Sequence, residues 1–457
     1  MEFWRDKLKG AKFVLAPMVE GSELAWRMLA RNHGAELCYT PMWHSQVFCK
    51  DPKYRVEALA SCPQDRPLIV QFCSNDPDVF TEAALLSQDY CEAVDLNLGC
   101  PQAIARRGNY GCFLQDEWQL LHEMVRKASS TVKVPITCKI RVFEDPRRTV
   151  DYARMLESAG ASLLTVHGRT REQKGPLTGL ASWGQIKEVR KSVSVPMFAN
   201  GNIQSLADVL RCIEETGVEG VMSAEGHLHN PAIFEGINPP VYEMAEEYLA
   251  LVKEYPCATS IVRGHVFKLL QHVLALPENF DVRYEIAKAQ ELSNFESGVH
   301  KIRQRYEKYH IGSETFTQNI DLPYDVWLCQ PYVRMPPDEY LKKLQVANEA
   351  NKNSEVNNKR KEDGDSPELS KKKMKILERN PRKKFERKPL ALCAQCLNPK
   401  GLKCGFSFCK QCCRTKCYQE ELDCPGHRIL VKTRRKVARE HANERSKTET
   451  PDPKKEA

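Results

Sequence analysis

Nine residues with metal-binding side chains crowd into residues 393–427: Cys393, Cys396, Cys404, Cys409, Cys412, Cys413, Cys417, Cys424 and His427. Their short steps, Cys-x2-Cys and Cys-x2-His, suit thiolates and an imidazole arranged as two tetrahedral zinc sites. Nine candidates for eight positions leave one spare, and the adjacent pair Cys412 and Cys413 is its expected place. No apolar core of useful size accompanies them, so Zn2+ is what would fold the segment. The other eleven cysteines are scattered through residues 1–350, which fits reduced thiols rather than a disulfide framework.

A second set of reactive and polar residues is strung along the first half of the chain. It comprises Pro17-Met18-Val19, Gln71, Asn97 with Gly99-Cys100-Pro101, Lys139 with Arg141, His167-Gly168-Arg169, Asn200-Gly201-Asn202 and Ala224-Glu225-Gly226. A thiol, a lysine, a histidine, four amides and glycine-containing turns are the groups needed to move a proton and to hold an anion.

Each member of that set follows a short apolar run. Eight strands are predicted: Phe13–Pro17, Ala35–Thr40, Leu68–Phe72, Ala93–Asn97, Ile136–Ile140, Leu163–His167, Met197–Asn200 and Gly220–Ser223. Longer amphipathic stretches alternate with them, the pattern of repeated βα units. Eight units in roughly 225 residues predict an α/β fold, a (β/α)8 TIM barrel over residues 1–239, whose chemistry belongs at the C-terminal ends of the strands. Residues 240–345 lose the strand pattern, and Ile261, His265, Leu269, Val273 and neighbours carry helical spacing, so a helical domain follows. Residues 346–390 read as a disordered basic linker, 391–428 as the zinc module and 429–457 as a basic tail.

Charge divides at the same place. Residues 1–350 hold 39 basic and 45 acidic residues, whereas residues 351–457 hold 29 and 15, an excess suited to a polyanion or an import receptor. No apolar run approaches the ~18 residues of a membrane span, and the N-terminus lacks an apolar signal core. The expectation is a soluble protein of the cytoplasm, the nucleus or both, with no membrane contact.

Six ordered motifs carry a family resemblance: Ala16-Pro17-Met18, Asp95-Leu96-Asn97-Leu98-Gly99-Cys100-Pro101 with Gly108-Asn109-Tyr110-Gly111, Thr137-Cys138-Lys139-Ile140-Arg141, Val166-His167-Gly168-Arg169 and Ala199-Asn200-Gly201-Asn202. Together they resemble the tRNA dihydrouridine synthases. Gln102-Ala103-Ile104-Ala105 and the run Arg169 to Pro176 look most like the eukaryotic branch acting on positions 16 and 17 of the tRNA D-loop. The resemblance implies FMN-dependent reduction of the uracil 5,6 double bond, with NADPH or NADH reloading the flavin and tRNA as partner. Cys100 is matched to the proton donor at C5, a role for which a mostly protonated thiol is suited; Cys112 in the same loop region is its competitor.

By the same resemblance Lys139 approaches flavin N1 and O2, Gln71 and His167 contact the ring, and Pro17, Met18 and Val19 lie against it. Asn200, Gly201 and Asn202 wall the phosphate, together with Ala224 and Glu225. Many relatives carry Gly-Arg at that last position, so a carboxylate there implies backbone contacts to the phosphate. Asn97 is matched to the residue that hydrogen-bonds the uracil, and Arg141 and Arg169 to contacts with RNA phosphate or the flipped nucleotide. The tail would hold RNA or a protein partner. Lys301, Arg303, Arg305 and Lys308 would either line a tRNA groove or form a solvated helix face. Two other readings compete: an FMN barrel reductase of a small pyrimidine, which would need neither helical domain nor tail, and an inactive tRNA-binding scaffold, for which Glu225 is the one feature.

Overall fold

The computed structural model describes residues 1–317, 321–346, 391–396, 398, 400, 401, 403–433, 435 and 436. The linker over 347–390 and the tail beyond residue 436 lie outside the described residues. The chain divides into two compact units, Met1–Glu355 and Val356–Ala457.

Eight parallel strands close the barrel in chain order: β1 (Phe13–Leu15), β2 (Leu37–His44), β3 (Leu68–Cys73), β4 (Ala93–Leu98), β5 (Ile136–Arg141), β6 (Leu164–His167), β7 (Met197–Asn200) and β8 (Gly220–Ser223), with β8 pairing back onto β1. All eight predicted strands form. Two differ by more than one residue at an end. β1 stops before Ala16-Pro17, as proline has no N–H for the ladder. β2 runs on to His44 through an irregularity between Tyr39 and Met42, because the ladder steps around Pro41 and resumes beyond it.

The βα turns are chemically explicit. Asp76-Pro77 and Asp145-Pro146 open helices with an aspartate cap and a proline in the first turn, and Ser182 and Ser205 cap the helices after β6 and β7. Each cap satisfies a helix N–H that would otherwise lack a partner. The outward face of the strands buries Leu68, Val70, Phe72, Leu96, Ile136, Cys138 and Val166 against these helices. The inward face stacks Val14, Tyr39, Ile69, Ala93, Leu163, Phe198 and Met222 into a separate core.

The helical part is anchored to the first barrel helix, Leu24–Asn32. Trp26 is fully buried and stacks on His265 at 4.0 Å, with Tyr248 edge-on at 5.3 Å. Glu23 accepts from Tyr248 Oη at 2.8 Å and pairs with His265 Nε2 at 3.0 Å. No helix among the described residues is long and apolar enough to cross a membrane.

A second clasp lies at His33, whose ring nitrogens meet Glu235 at 2.8 Å and Glu247 at 2.9 Å. Glu247 belongs to the helix Val241–Glu254, so the imidazole joins barrel and helical part. The Glu247 hydrogen bond, helped by Glu235 and opposed by burial, raises the His33 pKa to about 9. A raised folded-state value stabilises the protein fully below the unfolded pKa of ~6.5 and is lost as pH rises through about 9. His33→Gln should therefore cost on the order of 1–2 kcal/mol at pH 6 and almost nothing at pH 9.5, read as the difference in unfolding midpoint from wild type. An equal cost at both pH values would contradict the charged clasp.

Candidate active site

Alternation along a strand sends every second side chain into the barrel. The lower layers are apolar, but towards the C-terminal ends the inward positions are Gln71 on β3, Asp95 and Asn97 on β4, Thr137, Lys139 and Arg141 on β5, His167 on β6 and Asn200 on β7. The parallel register sets Asp95 beside Gln71 and Thr137, Asn97 beside Lys139, and His167 between Arg141 and Asn200.

These groups form a buried polar chain. Thr137 Oγ1 donates to Asp95 at 2.6 Å, Gln71 Nε2 donates to the other Asp95 oxygen at 2.8 Å, and Asn97 Nδ2 donates to Gln71 Oε1 at 2.8 Å. Asn97 Oδ1 then accepts the backbone N–H of Gly99 at 3.1 Å and of Cys100 at 3.0 Å. Burial pushes the Asp95 carboxyl up to about 6, against the Thr137 and Gln71 hydrogen bonds and the Lys139 charge, which lower it. The chain ends by fixing the loop that carries the Cys100 thiol.

The loop is closed from its other side as well. Cys112 N–H donates to the Cys100 carbonyl at 3.2 Å. Between them Gly111 has φ +65°, and a Cβ there would lie 2.8 Å from that carbonyl oxygen, so the turn requires glycine. Cys100 is partly buried, and burial raises its pKa while Arg141 and Lys139 lower it. Its thiol is protonated at neutral pH. Cys112 is fully buried and raised to about 11.

Above this floor opens a cavity of about 1470 Å³. It brings together Pro17, Lys139 and Arg141, the His167 and Arg169 side chains, the Asn200–Asn202 loop and the Ala224–Glu225 turn. Lys139 Nζ donates to Asn200 Oδ1 at 2.9 Å. Burial, reinforced by Arg141, lowers its pKa to about 8, which leaves it mostly cationic near neutrality. His167 is driven well below its ordinary value by burial and by Lys139, Arg141 and Arg169. It stands as a neutral ring, with Nε2 facing the Arg169 guanidinium at 3.1 Å. Gly201 has φ +112°, and a Cβ there would lie 2.6 Å from Ala181 and 3.1 Å from the His167 ring.

Of the set, Met18, Val19, Gln71, Asn97 and Cys100 fall around the cavity rather than on its lining. Gln71 and Asn97 are buried beneath it, their amides engaged as described. Met18 packs against the inner core, and Val19 is 58% exposed. Arg141 donates to the carbonyls of Gly99, Thr170 and Gln173, and Arg169 to Gly179 and Asn202; both brace the loops after β4 and β6. In the helical part Lys301 pairs with Glu285, Arg303 with Glu246 and Glu307, Arg305 with Asp281 and Lys308 with Glu314, so these four form an ion-paired, solvated face.

Sequence reasoning passed over Asp95, Thr137 and Arg334. The first two carry a legible signal, since Asp95-x-Asn97 and Thr137-x-Lys139-x-Arg141 repeat a polar residue every second position in otherwise apolar strands. Arg334 carries none, being 109 residues beyond its partner Glu225.

The second unit, taken by itself, has two groups of four metal-binding side chains: Cys393, Cys396, Cys409 and Cys412, and Cys404, Cys413, Cys424 and His427. The Sγ atoms lie 3.7 Å apart for Cys396 and Cys409, 3.6 Å for Cys396 and Cys412, and 3.9 Å for Cys404 and Cys424. The edge of a zinc tetrathiolate, with Zn–S ~2.3 Å, is ~3.8 Å. Cys417 falls in neither group, although its Sγ lies 3.9 Å from that of Cys413, whereas Cys412 and Cys413, where the spare was expected, fall in one group each. Those two are consecutive on the helix Lys410–Gln419, so they project about 100° apart and serve different groups. Cys417 instead joins a small core with Cys413, Cys424 and Val431. Ordered structure also passes residue 428: Ile429–Leu430 pairs with Asp423–Cys424, and Thr433 hydrogen-bonds Asp423.

The family model described as Dihydrouridine synthase (Dus) matches residues 14–318. The chain belongs to the dihydrouridine synthase family. Within it, the chain is similar along nearly its whole length to the mouse protein named tRNA-dihydrouridine(16/17) synthase [NAD(P)(+)]-like, 53% identical over 442 residues that cover 95% of this chain and 91% of that one. The fission yeast Schizosaccharomyces pombe tRNA-dihydrouridine(16/17) synthase [NAD(P)(+)] is 43% identical over 72% of this chain and 89% of its own. A mouse tRNA-dihydrouridine(20a/20b) synthase [NAD(P)+]-like protein is 36% identical over 58% and 82%.

The contrast between the two loop cysteines is directly measurable. Iodoacetamide on the native protein should alkylate Cys100 and spare Cys112, with the Cys100 rate climbing as pH rises towards its elevated pKa. Peptide mass mapping reads both sites, and modification of Cys112 ahead of Cys100 would contradict the loop geometry.

Proposed function

We propose that this chain reduces the 5,6 double bond of uracil in tRNA, at positions 16 and 17 of the D-loop. The observation that carries the reading is a barrel mouth lined by Lys139, His167 and Asn200, beside the loop whose Cys100 backbone N–H is held by Asn97. Similarity to the 16/17 relatives over most of the chain, against a shorter match to the 20a/20b relative, supports the choice of uridines.

The donor set fits FMN. Lys139 supplies a buried cation, Asn200 an amide, neutral His167 a ring face, Pro17 and Met18 apolar surface, and Gly201-Asn202 and Ala224-Glu225 the backbone at the phosphate end, with Val19 and Gln71 flanking. When bound, FMN would supply the hydride for uracil C6, with NADPH or NADH as its reductant. Cys100 gives its proton to C5, and solvent reprotonates the thiolate. Asn97, with its oxygen on the loop and one N–H on Gln71, has a second N–H for a uracil carbonyl. Arg141 and Arg169 hold the loops that frame the base, and Arg106 and Lys174 on the cavity rim meet RNA phosphate. A uracil within a folded D-loop must be extruded to reach this mouth. We place the enzyme in the cytoplasm, the nucleus or both, where its substrate is.

Cys100→Ala should still hold FMN and accept electrons from NADPH, yet lose tRNA reduction by about 10²–10⁴-fold; Cys112→Ala should be mild. Lys139→Ala should weaken flavin retention. A wild type that purifies colourless and takes up no FMN would overturn the cofactor, and an active Cys100→Ala beside a dead Cys112→Ala would overturn the acid.

For the tail we propose two zinc ions on the two four-residue groups, and an RNA grip made of this module and its basic flanks. Metal analysis should find about two zinc ions per chain, one in Cys413→Ala and two in Cys417→Ala. Removing residues 351–457 should lower tRNA affinity and flatten its salt dependence. An unchanged slope would make the tail a site for a protein partner or an import receptor instead.

A further inference from the structure

A carboxylate at the end of β8 is the wrong charge for a wall that receives a phosphate. Glu225 stands there, at the start of the short turn of helix Glu225–His229. Its neighbour in space comes from outside the barrel. After the helical part, residues 332–337 return to the mouth and lie across it.

Three contacts hold this strap. Gln204 Nε2 donates to the Tyr332 carbonyl at 2.9 Å. The Tyr332 ring stacks on His229 with centroids 4.4 Å apart and planes 8° from parallel. Arg334 grips Glu225 with two donors, Nε to Oε2 at 2.9 Å and Nη2 to Oε1, while Nη1 donates to the Gly175 carbonyl at 3.1 Å. The guanidinium thus bridges the loop after β6, the turn after β8 and its own segment. Three of its five N–H groups are engaged, which leaves two for an anion.

The pair is too exposed to stabilise the fold much, at 33% for Arg334 and 45% for Glu225. It does set the charge of the phosphate wall. Arg169 on the adjacent wall responds to both partners, Glu225 favouring its charge and Arg334 opposing it, beneath a larger lowering by burial. With Arg334 in place Glu225 is neutralised and a fixed fork of donors remains. Without it, a bare carboxylate would confront the incoming dianion.

We propose that Arg334 is a phosphate-binding residue of the flavin site, delivered to the barrel mouth by the strap and oriented by Glu225. The proposal rests on the flavin reading above, and it goes beyond it by locating the phosphate's cation outside the barrel.

The test separates charge from mere strapping by comparing FMN with riboflavin, which has the same ring system and no phosphate. Flavin-stripped full-length protein is titrated with each, and binding is followed by flavin fluorescence. Arg334→Ala should raise the Kd for FMN at least tenfold and change that for riboflavin less than about twofold. Glu225→Gln, which loosens the guanidinium but keeps its charge, should cost less. The double variant Arg334→Ala with Glu225→Gln should bind FMN better than Arg334→Ala, because the exposed carboxylate is gone. Equal losses for FMN and riboflavin, equal losses for the two single variants, or unchanged FMN binding in Arg334→Ala would each overturn the assignment. A wild type that binds neither flavin overturns the cofactor reading with it, whereas a wild type that binds FMN beside an indifferent Arg334→Ala sinks this proposal alone.

Discussion

The site depends on a carboxylate that has nowhere to go. Asp95 is fully buried in the barrel, where an unpartnered charge or a lone polar group is expensive. Thr137 and Gln71 satisfy it, Gln71 is satisfied by Asn97, and the unused side of Asn97 can only be satisfied by the Gly99 and Cys100 amides. Each link is forced by the one below. The Cys100 loop is therefore positioned by the interior of the barrel as well as by its own Gly111 turn, and loss of any one link would leave a buried polar group without its partner.

The same layer sorts protons by environment. Asp95 lies above the ordinary carboxylate range, Lys139 is lowered to about 8, His167 is held neutral and Cys100 is held as a thiol. Burial is the largest cause in all four. It drives carboxyl and thiol up and lysine and imidazole down, so burial in one layer yields an acid, a cation and a neutral ring. The chemistry proposed here asks for just that division of labour.

Much of this was legible in the sequence. All eight strands were, because apolar β-branched runs at the spacing of βα units leave little else to build, and the mouth residues were, because a barrel places chemistry where its strands end. What escaped was whatever depends on pairing. The Asp95 network is a set of contacts between strands 24 to 42 residues apart, and the period-2 polar positions announce its members without saying who bonds whom. The role of Gln71 and Arg141 as internal braces has the same origin. In the tail, ligand types were readable from spacing, but the division between the two groups was not. Cys404 groups with Cys413 although it lies between the two halves of the other group, and only the helix shows that the adjacent Cys412 and Cys413 fall in different groups.

The contact between Glu225 and Arg334 has a consequence in time. The last barrel strand ends at Ser223, yet the mouth is completed by a residue 109 positions beyond Glu225. At about 5–20 residues per second, roughly 5–20 seconds separate the synthesis of Glu225 from that of Arg334. The order of synthesis thus places every strand of the barrel before the segment that completes its mouth.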